Sequence, residues 1–90
     1  MRIDANWLVS DIPEVYSGDR VDILVYRPFS EIQDTEVLIE KALVLQVHEN
    51  KGKKSLSLHL TQSQGQALFL AHSLQFPLQV LVHSSSLKTF

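Results

Sequence analysis

Two sets of residues in this 90-residue chain could do chemistry. The first is Gly18-Asp19-Arg20-Val21-Asp22, in which two carboxylates flank a guanidinium. Paired acids near a cation can act as general acid and base. The second is the set of four histidines, His48, His59, His72 and His83, since imidazole is both a proton carrier and a common metal ligand. Neither set has the spacing that a reaction needs. No two histidines stand at i, i+4, and there is no His-Glu-x-x-His. His48, His59 and His83 fall in or at the end of expected strands, at the polar positions of an alternating pattern, where an exposed histidine is ordinary. No metal site is expected. Ser84-Ser85-Ser86 lacks the Gly-x-Ser-x-Gly elbow of a hydrolase. Three scattered glycines form no phosphate loop. No catalytic residue and no cofactor is expected.

Asp19 follows a glycine, the usual setting of a turn carboxylate. Arg20 and Asp22 point to the same side of an extended chain. The structural reading is therefore an Arg20–Asp22 pair, or a bond from either to a neighbouring strand or loop. The other reading is a polar hot spot on a binding surface, where arginine is enriched.

Composition removes several function classes. Eight basic residues against ten acidic ones give a net charge of −2. Nucleic-acid binding calls for clustered positive charge, and the one cluster, Lys51-Gly52-Lys53-Lys54, reads as a solvated turn. With no cysteine, disulfides and thiol catalysis are excluded. No apolar run reaches the ~18 residues of a membrane span, so this chain is expected not to insert directly. Met1-Arg2-Ile3-Asp4 leads into a polar segment and does not read as a secretory signal.

The elements that would position these residues follow from periodicity. Residues 1–12 read as a lead-in of extended pieces and turns, with Trp7 packed on the domain. Val21 to Tyr26 is a strand, with Val21, Ile23 and Val25 on one face. Arg27-Pro28 ends it, and 29–34 connects onward. Thr35 to Val47 has Glu, Leu, Lys and Ala that would suit a helix, but its β-branched residues alternate twice with a phase break at Glu40-Lys41, which favours two strands joined at a bulge or bend. Glu49 to Lys53 is a turn. Ser55 to Leu60 alternates cleanly, so 42–48 and 54–60 form an antiparallel hairpin. Thr61-Gln62-Ser63-Gln64 is a capping box opening a helix over 61–75, with Ala67, Leu70, Ala71 and Leu74 as its buried face. Gly65 leaves room there for a close neighbour. Phe76-Pro77 stops the helix. Leu78 to His83 is the last strand, and 84–90 is a polar tail. One helix on a small, mainly antiparallel sheet or partial barrel, an α+β domain, buries the apolar face of each.

Three segments, in order, resemble a known family. Pro13 to Val25 is similar to the "P-G-D-R-V-D-V-L" opening of the RcpC/CpaB domain of Flp (tight-adherence, type IVb) pilus assembly proteins, with Ser17 where the family often has Pro. Glu36 to Val47 and Leu56 to Ala67 look like its next two segments, with Gln62-Ser63 in place of Pro-Glu and the capping Thr61 kept. A final strand such as 77–83 closes the pattern, although Phe76 stands where the family often has Gly.

The resemblance, over 13–83, implies a non-enzymatic module that works in the periplasm or cell envelope with other pilus or secretion proteins, such as the outer-membrane secretin. Members carry an N-terminal membrane anchor and a SAF domain ahead of this domain. The chain is accordingly expected to be one excised domain, anchored through a segment that it lacks, and a homo-oligomer is compatible with this. The expected interface is Tyr26, Arg27, Phe29 and Ile32, because aromatics with an arginine are typical anchors; Tyr26 and Phe29 could instead close the core. The alternative is a carbohydrate or cell-wall binding module with Trp7 and Tyr16 as its aromatic platform.

Overall fold

The computed structural model describes residues 1–9, 11–27 and 34–83. Five strands form one antiparallel sheet: β1 (Arg2–Asp4), β2 (Arg20–Arg27), β3 (Asp34–Asn50), β4 (Lys53–His59) and β5 (Leu78–His83). Their spatial order is β1-β4-β3-β2-β5. Among the described residues a single α-helix, α1 (Gln62–Ser73), crosses from β4 to β5. The expectation of an α+β domain with one helix on an antiparallel sheet is met, and the sheet is not closed into a barrel. Among the described residues, no helix is long and apolar enough to cross a membrane.

Alternation sets the core. Val21, Ile23 and Val25 of β2 are buried, as are Leu56 and Leu58 of β4 and Leu78 and Val80 of β5. Each set repeats with the period of two that places side chains on one sheet face. The β3–β4 hairpin turns on Lys51 and Gly52, both at positive φ (54° and 79°). Such a two-residue turn matches the twist of the flanking strands, and it is tighter than the five-residue turn that the composition suggested.

The expected strand pair over 35–47 is one continuous strand of 17 residues, β3. It pairs with β2 and then with β4, and its register shifts opposite Val21–Leu24 and again between Val44 and Gln46. The phase break at Glu40-Lys41 is a bulge with Lys41 at φ 53°. β3 bends there but does not stop.

Thr61 caps α1 as predicted. Its hydroxyl accepts from the Gln64 N–H at 3.1 Å, and the Gln64 side chain accepts from the Thr61 N–H at 3.0 Å. The helix ends at Ser73, before the expected Gln75. Gln75 at φ 60°, with Phe76 N–H to Ala71 O and Gln75 N–H to His72 O, forms a Schellman stop. The buried face is corrected. Leu68 and Ala71 are its buried members, while Leu70 and Leu74 are 59% and 55% exposed. Met1 Sδ lies 3.8 Å from where a Cβ at Gly65 would stand, an ordinary contact, so Gly65 is not needed to admit it.

The expected lead-in contributes a strand. β1 pairs with Ser55–Ser57 of β4, and a 3₁₀ turn, Ala5–Trp7, carries the chain to Leu8, which bridges Leu78 at the opposite sheet edge. This shows that the sheet curls. The Leu8 N–H bonds the Ala5 carbonyl, so these Cα atoms lie within about 7 Å. One residue step of about 3.8 Å and one strand spacing of about 5 Å bring the reach from β1 to β5 to about 16 Å. In a flat sheet the two edges would stand four spacings, about 19 Å, apart. The core fills the curl beneath α1, and Trp7 stacks on His72 of the helix at 3.7 Å between ring centroids.

Candidate functional site

Residues 16–22 form the best-defined polar cluster. Gly18, at φ 95°, makes the turn that launches β2. The Asp19 carboxylate accepts from the Tyr16 N–H at 3.0 Å and closes that turn. Gly18 N–H donates to Val44 O at 2.8 Å, and Val44 N–H donates to Asp19 O at 2.9 Å. Gly18 and Asp19 are turn residues that also extend the ladder to β3.

The two carboxylates do not share a task. Asp22 Oδ1 accepts from the Lys41 N–H at 2.8 Å, and Oδ2 lies 2.6 Å from Nε2 of His83. Arg20 Nη1 donates to the Lys41 carbonyl at 3.3 Å. Of the two structural readings, the second branch holds: Arg20 and Asp22 each bond a neighbouring strand. Both grip the Lys41 peptide, whose left-handed conformation is unfavourable for a residue with a Cβ by roughly 1–2 kcal/mol. Ser17 does the same at the second irregularity of β3: its hydroxyl donates to Leu45 O at 2.8 Å. The stretch Ser17–Asp22 is thus a row of pins on β3, at the Lys41 bulge and at the shift between Val44 and Gln46. Burial pushes the Asp22 carboxyl up, but the Lys41 N–H and the His83 imidazole outweigh it and hold the group below the usual Asp value.

Lys41→Gly tests the pinning directly. Glycine removes the left-handed penalty and keeps both backbone bonds. The variant is expected to gain about 0.5–1 kcal/mol, read as a rise in midpoint on urea denaturation.

The histidines do not converge. His48 bonds Ser57 at 2.8 Å, His72 stacks on Trp7, and His83 pairs with Asp22. Among the described residues, no group of three or more His, Asp or Glu could hold a metal ion.

Concavities are shallow and open. One of about 420 Å³ is lined by Glu14, Tyr16, Gln46, Glu49 and Lys54 together with the apolar Val15 and Val47. There the Glu14 carboxylate, as acceptor from the Tyr16 hydroxyl and as a neighbouring charge, raises the Tyr16 pKa above its ordinary value. A second, of about 340 Å³, is lined by Val9, Leu24, Tyr26, Thr35, Pro77, Leu78 and Gln79, and among these described residues the Tyr26 phenol is the one ionisable group.

Of the expected interface residues, half-buried Tyr26 walls this second groove. Arg27 ends β2, and its side chain lies outside the described residues, as do Phe29 and Ile32. The missed feature is a larger apolar strip around Tyr26. Leu24 stands opposite Val37 on β3 and Gln79 on β5, and Asp22 stands opposite Leu81. Directly paired residues share a face. Leu24, Tyr26, Val37 and Leu81 therefore lie together on the sheet face away from the core, with Val37 49% and Leu81 45% exposed. The alternation of β2 carried this signal, since Leu24 and Tyr26 occupy the polar phase.

Comparison with protein-family models, with curated proteins and with solved structures returned no match.

Proposed function

We propose that this is a non-enzymatic protein-interaction domain of a pilus or secretion-type assembly in the cell envelope, and that it docks a partner on the outer sheet face around Tyr26. The observation that carries the reading is the strip Leu24–Tyr26–Val37–Leu81 running into the apolar groove beside β5. An outer sheet face is normally polar, and apolar residues gathered there mark an interaction surface. The pins at Arg20 and Asp22 add rigidity, which lowers the ordering cost of binding. The ordered resemblance to the RcpC/CpaB domain supplies the envelope setting and the partner class, pilus or secretion proteins such as the secretin.

The test is titration of the purified domain with the periplasmic region of the secretin from the same organism, followed by calorimetry. Tyr26→Ala should weaken binding at least tenfold, the effect of an anchor worth about 1.4 kcal/mol, with an unchanged melting curve. No binding by the wild type, or equal binding by both, would overturn the proposal.

The carbohydrate reading rests on Tyr16, which is 64% exposed beside Gln46 and Glu49. One face of Trp7 is already covered by His72, so the two aromatics do not offer a free platform of two rings. Retention on insoluble cell wall that falls in Tyr16→Ala would favour this reading; equal retention would end it.

A further inference from the structure

Helix α1 is apolar on two sides. Leu68 and Ala71 face the core, whereas Phe69, Leu70 and Leu74 are 60%, 59% and 55% exposed. A helix that is apolar on more than its core stripe calls for burial on the second side as well. The helix also carries no Asp, Glu, Lys or Arg in its 12 residues, Gln-Ser-Gln-Gly-Gln-Ala-Leu-Phe-Leu-Ala-His-Ser. The outward side consists of Phe69, Leu70 and Leu74 with exposed Gln62 and Gln66 beside them. This surface lies on the helix layer, opposite the outer sheet face around Tyr26, and the inference stands independently of that reading.

We propose that the outward face of α1 binds a second copy of the same chain through the same face, forming a weak two-fold dimer. Charge decides between occupants. A partner recognised by charge would need opposite charge on this helix, and there is none. A membrane-surface helix carries Lys or Arg along its polar side, and α1 has neither. Two copies of this face, by contrast, put no like charges opposite each other. Gln62 and Gln66 each offer a donor and an acceptor, so each can bond its own counterpart where the two helices run parallel about a two-fold axis along their length. Leu70 and Leu74, one turn apart, form a ridge that can pack beside its symmetry mate.

The area sets the strength. The three side chains leave roughly 300 Å² of apolar surface in water, at about 150–250 Å² for a large side chain. With the exposed glutamines that lie between Phe69 and Leu70, two copies then bury on the order of 1,000 Å², the lower limit of a specific interface. Association is expected near ~100 µM, in the range of weak contacts.

Sedimentation velocity from about 10 µM to 1 mM tests this. The wild type should pass from monomer towards dimer. Leu70→Glu and Leu70→Lys should each remain monomeric with unchanged circular dichroism, because Leu70 lies on the surface. An equimolar mixture of the two should recover dimer, since opposite charges then meet across the axis. The same pair at Leu74, which faces its own counterpart in that arrangement too, repeats the test one turn further along the helix. The proposal is overturned if the wild type stays monomeric at 1 mM, if the charged variants still dimerise, or if neither mixture recovers. Flotation with phosphatidylcholine vesicles that is lost in Leu70→Glu would assign the face to lipid and overturn it as well.

Discussion

Leu68→Ala is expected to destabilise the domain by about 3 kcal/mol, the usual loss for a buried leucine truncated to alanine. Leu70→Ala, two residues away, is expected to change stability by less than about 0.5 kcal/mol in dilute solution. Leu68 is fully buried and is the one large side chain that α1 contributes to the core. Removing it leaves the helix attached through Ala71, the Trp7–His72 stack and its termini. For a domain of this length about 1 kcal/mol corresponds to about 4–8 °C, so Leu68→Ala should lower the melting temperature by about 12–24 °C. Calorimetry of the two variants below the concentration of self-association checks the pair. Equal losses in both would mean that the helix is rotated relative to the sheet from the orientation described above.

The second large effect is Asp22→Ala, expected to cost about 2 kcal/mol. The carboxylate accepts from the Lys41 N–H and pairs with His83, and its side chain is only 14% exposed. Hydrogen bonds to a charged group contribute about 1.5–3 kcal/mol. Loss of this one also frees a peptide held in left-handed geometry. The pH dependence follows from the lowered pKa of Asp22. A carboxyl more acidic in the folded than in the unfolded state adds stability above its unfolded pKa, and that stability is lost as pH falls through the folded value. The wild type should therefore lose stability on acidification below about pH 4. Asp22→Asn, which cannot ionise, should show a shallower loss over the same range. Melting temperatures measured between about pH 2 and 6 compare the two; parallel curves would remove Asp22 from the account.

Local pattern made much of this fold legible. Val21, Ile23 and Val25 alternate without interruption, and Leu56 and Leu58 do the same, so a period of two revealed both inward faces. The capping box at Thr61 and Gln64 was equally plain, because its four residues are contiguous. The bulge at Lys41 was visible as a break of phase, though not the continuation of the strand through it. The helix face was misread because Ala67 to Ala71 is an unbroken apolar run. Several stripes fit such a run, and packing against the curled sheet selected the one through Leu68. Strand β1 was out of reach: Arg2-Ile3-Asp4 holds a single apolar residue, and its partner lies more than fifty positions later. The grip of Asp22 on His83, 61 residues apart, depends on β2 and β5 being neighbours, which only the strand order decides. The tasks of Arg20 and Ser17 were hidden for the same reason, since each bonds a carbonyl on a strand whose bends come from pairing.

The strap formed by residues 1–9 has a consequence for how the chain is made. It joins both sheet edges, with Met1 bonded to Leu58 and Leu8 bridged to Leu78. Within this domain it is made first, yet its last partner follows 70 positions later (78 − 8). At about 5–20 residues per second, Leu8 waits roughly 4–14 s for Leu78 to be synthesised. The hairpin of β3 and β4 can close meanwhile, since its contacts are local and form within microseconds. The sheet is completed only once β5 has been made. Until then the nascent chain presents a half-built sheet, with the edge of β2 that β5 will cover still open.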